Sequence, residues 1–224
     1  PTLSSSVPAD NATAVSVEDN IVLNFSENVL ANTGYIVLKA TADNAIIESF
    51  NTATGQGNHG GTVTVTGVSV TVDPMAYLTA NTGYYVTVVS SAVKDVVCNN
   101  YAGIVSSTEL NFTTPTPTSY NLTTFADIAP AFVGTVGDDI FNGTYGDGAG
   151  PYTLDATDVL NGGTGVDTFS ITTGAEASTP PDSLWANKTN FEKVEFHSTG
   201  AGAQSITTGV NFNTAFAGHV DLIV

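Results

Sequence analysis

The fold of the second half of the chain is decided by one nonapeptide, Gly162-Gly163-Thr164-Gly165-Val166-Asp167-Thr168-Phe169-Ser170. Its three glycines favour a tight turn that exposes backbone carbonyls, and the carboxylate of Asp167 follows that turn. Phe169 then alternates with polar residues, as in a strand with one buried face. The nonapeptide therefore predicts a turn and a strand, with Phe169 in a core and Asp167 beside a ring of backbone oxygens.

Two other stretches share this pattern. Residues 134–142 (GTVGDDIFN) repeat the glycines, the aspartate and the apolar position, and residues 158–161 (DVLN) lie nine residues before the matching positions of the nonapeptide. We expect three turns in one register, each sending one apolar side chain into a shared core. Those side chains are Phe141, Leu160 and Phe169.

The residues between Val136 and Asp167 include six aspartates and no Lys, Arg or Glu. Ordered carboxylates of one sign need a cation, and oxygen ligands on a glycine-rich backbone are what Ca²⁺ selects. The sequence predicts calcium, with side-chain ligands from Asp139, Asp158 and Asp167, and from Asp138 beside them. The predicted backbone ligands come from the two glycine turns: Gly134, Val136, Gly137, Gly162, Thr164 and Gly165. Asp147 and Asp155 lie in the interruption between the turns, where we expect a surface loop.

These stretches resemble the RTX calcium β-roll repeat, G-G-x-G-x-D-x-U-x. Residues 132–141, 158–167 and 191–196 together are similar to β-roll segments of S-layer proteins and giant RTX adhesins. The resemblance implies a calcium-binding β-roll, or parallel β-solenoid, over residues 120–224, in which residues 191–196 continue the stack. Only one repeat is complete, so the number of ions, from one to three, stays open.

The first half of the chain alternates apolar and polar residues, which indicates half-buried strands. One apolar face holds Ile21, Leu23 and Phe25, and another holds Tyr84, Val86 and Val88. The apolar phase slips at Gly67, which predicts a bulge or turn there. Turn clusters separate several short strands, so we expect a β-sandwich over residues 1–114. Prolines then predict a linker over residues 115–119. The whole chain is accordingly predicted to be all-β.

Four stretches of this half resemble bacterial Ig-like domains of S-layer proteins and adhesins: residues 6–15, 20–29, 78–88 and 92–95. The resemblance implies an Ig-like sandwich that serves as a spacer.

The charge of the chain restricts its partners and its setting. It has 21 acidic residues, four lysines and no arginine, for a formal net charge of −17. Such a surface repels nucleic acid and anionic lipid, and suits a medium rich in divalent ions. This charge favours an extracellular setting, and the resemblances imply the bacterial cell surface. No apolar run reaches the length of a membrane span, so we expect no membrane insertion. The single cysteine, Cys98, is predicted to be a small buried residue.

No catalytic motif is present, and we expect no enzyme activity. The chain lacks both G-x-S-x-G and H-E-x-x-H, and His59, His197 and His219 are isolated in sequence. Trp185 and Phe191 are better explained by core packing than by carbohydrate stacking.

Two functions stay open. The first is a structural module of a longer surface protein or lattice, stiffened by calcium. The second is an adhesive module that binds a glycan or protein on another cell. The accessory region of a secreted hydrolase is a third, more distant alternative. We interpret the chain as a piece of a longer polypeptide.

Overall fold

Strands are the main regular secondary structure of the described residues in both halves of the chain. The computed structural model describes residues 1–146, 152–174, 180–198, 205 and 209–216, and the backbone of 221–223. Contacts divide the chain into two units, Pro1–Pro115 and Thr116–Val224. The predicted predominance of β-structure is confirmed. Within the described residues, no helix is long and apolar enough to cross a membrane.

The first unit consists of short strands joined by tight turns. Nine of them are hydrogen-bonded in the order β1-β2-β8-β7-β6-β5-β4-β9-β11, every pair antiparallel, while β10 pairs with β3. The strands are β1 Leu3–Val7, β2 Ile21–Phe25, β3 Val29–Ala31, β4 Tyr35–Ala40, β5 Ile46–Asn51, β6 Gln56–Gly57, β7 Thr62–Thr66, β8 Ser69–Asp73, β9 Gly83–Val88, β10 Val93–Asp95 and β11 Asn111–Thr113.

The predicted alternation in this unit is confirmed. Ile21, Leu23 and Phe25 are buried, whereas the residues between them are only partly so. At Gly67 the chain makes a two-residue turn between β7 and β8, with Thr66 opposite Ser69. Gly67 has a φ of 60°, a conformation that glycine adopts without strain. The turn, not a bulge, therefore accounts for the slip in apolar phase.

Cys98 is exposed, so the prediction that it is buried was wrong. The turn after β10 is organised by Asp95, whose buried carboxylate accepts hydrogen bonds from the backbone N–H groups of Val97 and Asn99. This turn gives Cys98 a φ of 71° and leaves its thiol at the surface. The hydrogen bonds to Asp95 thus determine the conformation of the turn, and they outweigh the preference of apolar residues within the turn for burial.

The strands of the second unit run parallel. They are β12 Ser119–Asn121, β13 Ile140–Tyr145, β14 Leu160–Asn161, β15 Thr168–Thr173, β16 Lys188–Thr189, β17 Lys193–Ser198 and β18 Asp221–Ile223, with a 3₁₀ helix at Asp182–Trp185 and α1 at Val210–Ala215. One sheet has the order β12-β13-β15-β17-β18, and a second pairs β14 with β16. We call each passage between successive strands of the five-stranded sheet a coil. From β13 to β17 the chain alternates between the two sheets, and each coil lies beside the one before it.

Aromatic side chains fill the core of the second unit. Phe141 pairs in register with Phe169, and Phe169 with Val194, so one inward column runs through three strands. Phe141, Leu160 and Phe169 are buried, as predicted. Trp185 and Phe191 are both fully buried and pack with the same column through Phe169. Carbohydrate stacking on these two side chains is therefore excluded, and core packing is confirmed.

Candidate metal centre

Three carboxylates join successive coils through the backbone. Asp167 Oδ1 accepts a hydrogen bond of 2.8 Å from the N–H of Asp139 in the preceding coil, 28 residues earlier. Asp139 Oδ1 in turn accepts one of 2.9 Å from the N–H of Thr118, and Glu192 Oε2 accepts one of 2.8 Å from the N–H of Asp167. We call Asp139, Asp167 and Glu192 the carboxylate ladder. Each rung holds the backbone of the coil before it.

The two glycine turns stack directly on each other. A Cβ on Gly134 would collide with the carbonyl oxygen of Gly162, and a Cβ on Gly165 would lie 2.7 Å from the carbonyl oxygen of Gly137. Gly165 also has a φ of 121°, a conformation that residues other than glycine rarely adopt. The glycines therefore permit close contact between coils.

The structure brings the predicted backbone ligands together in this stack. Thr164 donates its N–H to the carbonyl of Thr135 in the other turn, at 3.2 Å. The side chains of Thr164 and Val136 face solvent. The two turns are thus joined by at least one direct hydrogen bond between backbones.

Asp167 has an oxygen whose hydrogen-bonding capacity is unused. Its side chain is fully buried, and among the described residues Oδ2 has no hydrogen-bond partner. The pKa of Asp167 is raised to about 8, chiefly by burial; the hydrogen bond from Asp139 lowers the pKa, and the carboxylates of Glu192, Asp139 and Asp138 contribute to raising it. A buried, unpaired oxygen among like charges is an unfavourable arrangement that a cation would relieve.

Asp138 and Asp139 contribute to the same edge of the stack. Asp138 Oδ1 accepts the N–H of Val166 in the next coil at 3.0 Å. Asp139 Oδ2 accepts both the N–H and the hydroxyl of Thr135. Both aspartates are therefore engaged by the chain itself, and of the three aspartates at this edge only Asp167 has a buried oxygen without a partner among the described residues.

Asp158 lies elsewhere. It precedes β14, which pairs with β16 and not with β15, so the nine-residue spacing from Asp167 carries the chain to a different sheet. Asp158 Oδ1 accepts the N–H of Asp127 at 3.0 Å, and Oδ2 accepts the N–H of Asp155 at 2.8 Å. Both oxygens have partners. The expected single register of three aspartates is thus replaced by the pairing of β13 with β15, which relates Asp139 to Asp167 at a separation of 28 residues.

The sequence analysis did not identify two residues near Asp158, at what we call the Asp127–Asp158 edge of the stack. Asp127 is buried, and its carboxylate accepts the N–H and hydroxyl of Thr123. Lys188 is 1% exposed and donates from Nζ to three backbone carbonyls. Burial lowers the pKa of Lys188 to about 8, although Asp158, Asp155 and Asp127 oppose the shift. Lys188 is in register with Leu160, 28 residues earlier, and this alignment with a buried apolar position is the signal of its burial.

The other candidate residues are more dispersed. Asp155 is half-buried, and its carboxylate accepts the N–H of Thr157 at 2.6 Å. Asp147 and His219 lie outside the described residues. His59 contacts the carbonyl of Ile47, and His197 lies 3.3 Å from Glu195. Within the part of the chain that the structure describes, no three His, Cys, Asp or Glu side chains converge as a metal cluster. Any site at Asp167 therefore depends on backbone oxygens as well as carboxylates.

The first unit matches a known protein family. The sequence model of the bacterial Ig-like domain family matches residues 1–114, just over half of the 224 residues. No curated protein shows significant similarity to the chain. The match spans all eleven strands of the antiparallel unit, from Leu3 to Thr113. The chain belongs to the bacterial Ig-like domain family.

Proposed function

We propose that the chain is a non-catalytic structural module of a bacterial cell-surface protein, of the S-layer or RTX adhesin kind. In it, an Ig-like unit precedes a calcium-binding parallel β-solenoid. Bacterial Ig-like domains typically occur in surface and extracellular proteins. The formal charge of −17 supports a medium that supplies divalent cations.

The carboxylate ladder is the observation that carries this proposal. It repeats one contact from coil to coil, a carboxylate that accepts a backbone N–H; the carboxylates of Asp139 and Asp167 are buried, and that of Glu192 is partly buried. Hydrogen bonds to a charged group contribute about 1.5–3 kcal/mol each. Because each rung joins residues more than 20 positions apart, the ladder fixes the register of the coils. A stack held in this way suits a module that keeps its shape under load.

Calcium is proposed to bind at the Asp167 edge of this stack. Asp167 Oδ2 is buried without a partner among the described residues, and Asp138, Asp139 and Glu192 lie close enough to raise its pKa. A hard cation prefers such oxygens and would let Asp167 stay ionised. Backbone carbonyls of the two glycine turns are the natural source of further ligands. Asp158 is not part of the proposed site, because it precedes β14, which belongs to the other sheet.

Calorimetric titration of the full chain with calcium tests this assignment. We expect binding by the wild type and its loss in Asp167→Asn, which keeps the shape of the side chain and removes its charge. Asp19→Asn is the matched control, since Asp19 is exposed and lies in the first unit. Equal binding by all three proteins would contradict the assignment to Asp167, and absence of binding by the wild type would contradict the calcium proposal.

A groove in the first unit favours the adhesive alternative. It has a volume of about 410 Å³ and is lined by residues that include Tyr35, Asn51 and Val89. Tyr35 is 48% exposed, which leaves its ring available for stacking on a sugar. Binding to a glycan array that is lost in Tyr35→Ala would support this function. No binding to the array would leave the structural role as the better account.

A further inference from the structure

Lys188 occupies a position that an apolar residue fills one coil earlier. In the parallel pair of β14 and β16, Lys188 is in register with Leu160, and both side chains are 1% exposed. Lysine is almost never buried to this extent unless it is paired, because removing an ammonium group from water is costly. A lysine in this inward column therefore requires a specific compensation.

Backbone oxygens provide that compensation. Lys188 Nζ donates hydrogen bonds to the carbonyls of Asp155 at 2.7 Å, Asp158 at 3.1 Å and Ala186 at 3.3 Å. An ammonium group has three N–H donors, so all three are used. Every partner is an oxygen atom of the main chain. This is the ligand type that a glycine-rich turn offers to a bound cation.

Negative charge surrounds the same ammonium group. The carboxylates of Asp158, Asp155 and Asp127 are near enough to favour its protonated form. Asp158 also joins two segments, since it accepts the N–H groups of Asp127 and Asp155. The positive charge thus lies where carboxylates and carbonyls from two coils meet.

We propose that Lys188 is a covalently tethered cation that takes, at the Asp127–Asp158 edge of the coil stack, the place of a bound metal ion. This edge is then complete without calcium. If the calcium-binding function proposed above holds, calcium acts at the Asp167 edge and not at this one, since at the Asp167 edge a buried carboxylate oxygen has no partner among the described residues. The inference about Lys188 itself does not depend on calcium.

The first test compares Lys188→Met with Lys193→Met in the full chain. Each substitution removes one positive charge, the first from β16 and the second from β17, the next strand in the chain. Lys193, however, is only partly buried. We expect Lys188→Met to lower the melting temperature of the second unit by roughly 10 °C or more, as for a broken buried ion pair. Amide exchange over residues 155–161 should rise at least about tenfold. Lys193→Met should change neither quantity appreciably, and equal behaviour of the two variants would overturn the proposal.

A double variant separates the role of the charge from that of packing, and it applies even if Lys188→Met does not fold. Adding Asp158→Asn removes a carboxylate that the ammonium group neutralises. Because Asp158→Asn alone also removes an acceptor of a backbone N–H, that single variant is measured as the reference. We expect Lys188→Met to lower the melting temperature less in the Asp158→Asn background than in the wild type, or the double variant to fold where Lys188→Met does not. An equal or larger loss in the Asp158→Asn background would show that the side chain only fills space, and would overturn the proposal.

Amide exchange of the wild type with and without a calcium chelator distinguishes the two edges. The chelator should increase exchange over residues 162–170 more than over residues 155–161, where only opening of the whole unit contributes. An equal or larger increase over 155–161 would refute the tethered-cation role. If neither segment responds, the calcium proposal fails, while the comparison of Lys188 variants, which involves no calcium, stands.

Discussion

The backbone N–H of Asp139 donates a 2.8 Å hydrogen bond to the carboxylate of Asp167, although the two residues are 28 positions apart. Both side chains are fully buried. Each aspartate thus accepts a hydrogen bond from the coil before its own: Asp167 from the N–H of Asp139, and Asp139 from the N–H of Thr118. A shift of register would leave several buried carboxylates without donors, and the cost of such groups makes the observed stacking specific.

Close stacking of the coils predicts that Gly162 tolerates no side chain. A Cβ there would lie 2.6 Å from Asp167 Oδ2 and would collide with the carbonyl oxygen of Asn190. We expect Gly162→Ala to lower the free energy of unfolding of the second unit by about 3 kcal/mol, as overpacking does. Chemical denaturation provides the measurement. Thr164→Ala is the control, because Thr164 is exposed in the same turn and should change stability by less than about 0.5 kcal/mol. Similar effects of the two substitutions would refute the account of the glycines.

A buried glutamate stabilises the first unit. Glu48 accepts backbone hydrogen bonds from His59 at 3.2 Å, Gly61 at 2.7 Å and Met75 at 3.0 Å, and is 2% exposed. Glu48→Ala leaves these N–H groups without their acceptor and should cost about 3 kcal/mol. Glu48→Gln, which keeps one acceptor oxygen, should cost less. Denaturant unfolding of both, beside the exposed control Glu18→Ala, measures the effect. An alanine variant as stable as that control would contradict it.

Asp182 makes the stability of the second unit depend on pH. Its carboxylate accepts the N–H groups of Phe212 and Asn211 at the start of α1, and the bond from Phe212 contributes most to lowering its pKa below 3.8. A lowered folded-state pKa gives stabilisation that is present above the unfolded value and is lost as pH falls through the folded value. Asp182→Asn should therefore be less stable than the wild type above about pH 4, and the difference should shrink below it. Melting temperatures of the second unit in both proteins, measured from below to above about pH 4, test the prediction. A difference in melting temperature that does not change with pH would contradict it.

Much of the fold follows from local pattern. Alternation identifies the buried face of β2, and the apolar position of each nonapeptide identifies Phe141 and Phe169, because strand periodicity alone determines which side chains share a face. Gly67 is likewise identified by the change of phase that its turn causes.

The remainder depends on contacts between distant residues. Crowded aspartates suggest a shared cation, yet Asp139 and Asp158 obtain backbone donors from neighbouring coils. The donor lies 21 residues from Asp139, 31 from Asp158 and 28 from Asp167, and a nine-residue motif does not reveal these separations. Lys188 carries no local signal of burial, since its compensation comes from carbonyls up to 33 residues away. The topology of the fold determines which distant residues form the hydrogen bonds of these buried polar groups.

The most direct test of calcium binding uses Trp185, the single tryptophan, which is buried in the core of the second unit. Its fluorescence reports the unfolding of that unit within the full chain. At free calcium about 100-fold above the dissociation constant, one site adds about 2.7 kcal/mol. We therefore predict a higher melting temperature by Trp185 fluorescence in calcium than in chelator, and no such difference in Asp167→Asn. A wild-type Trp185 transition at the same temperature in calcium and in chelator would contradict the account.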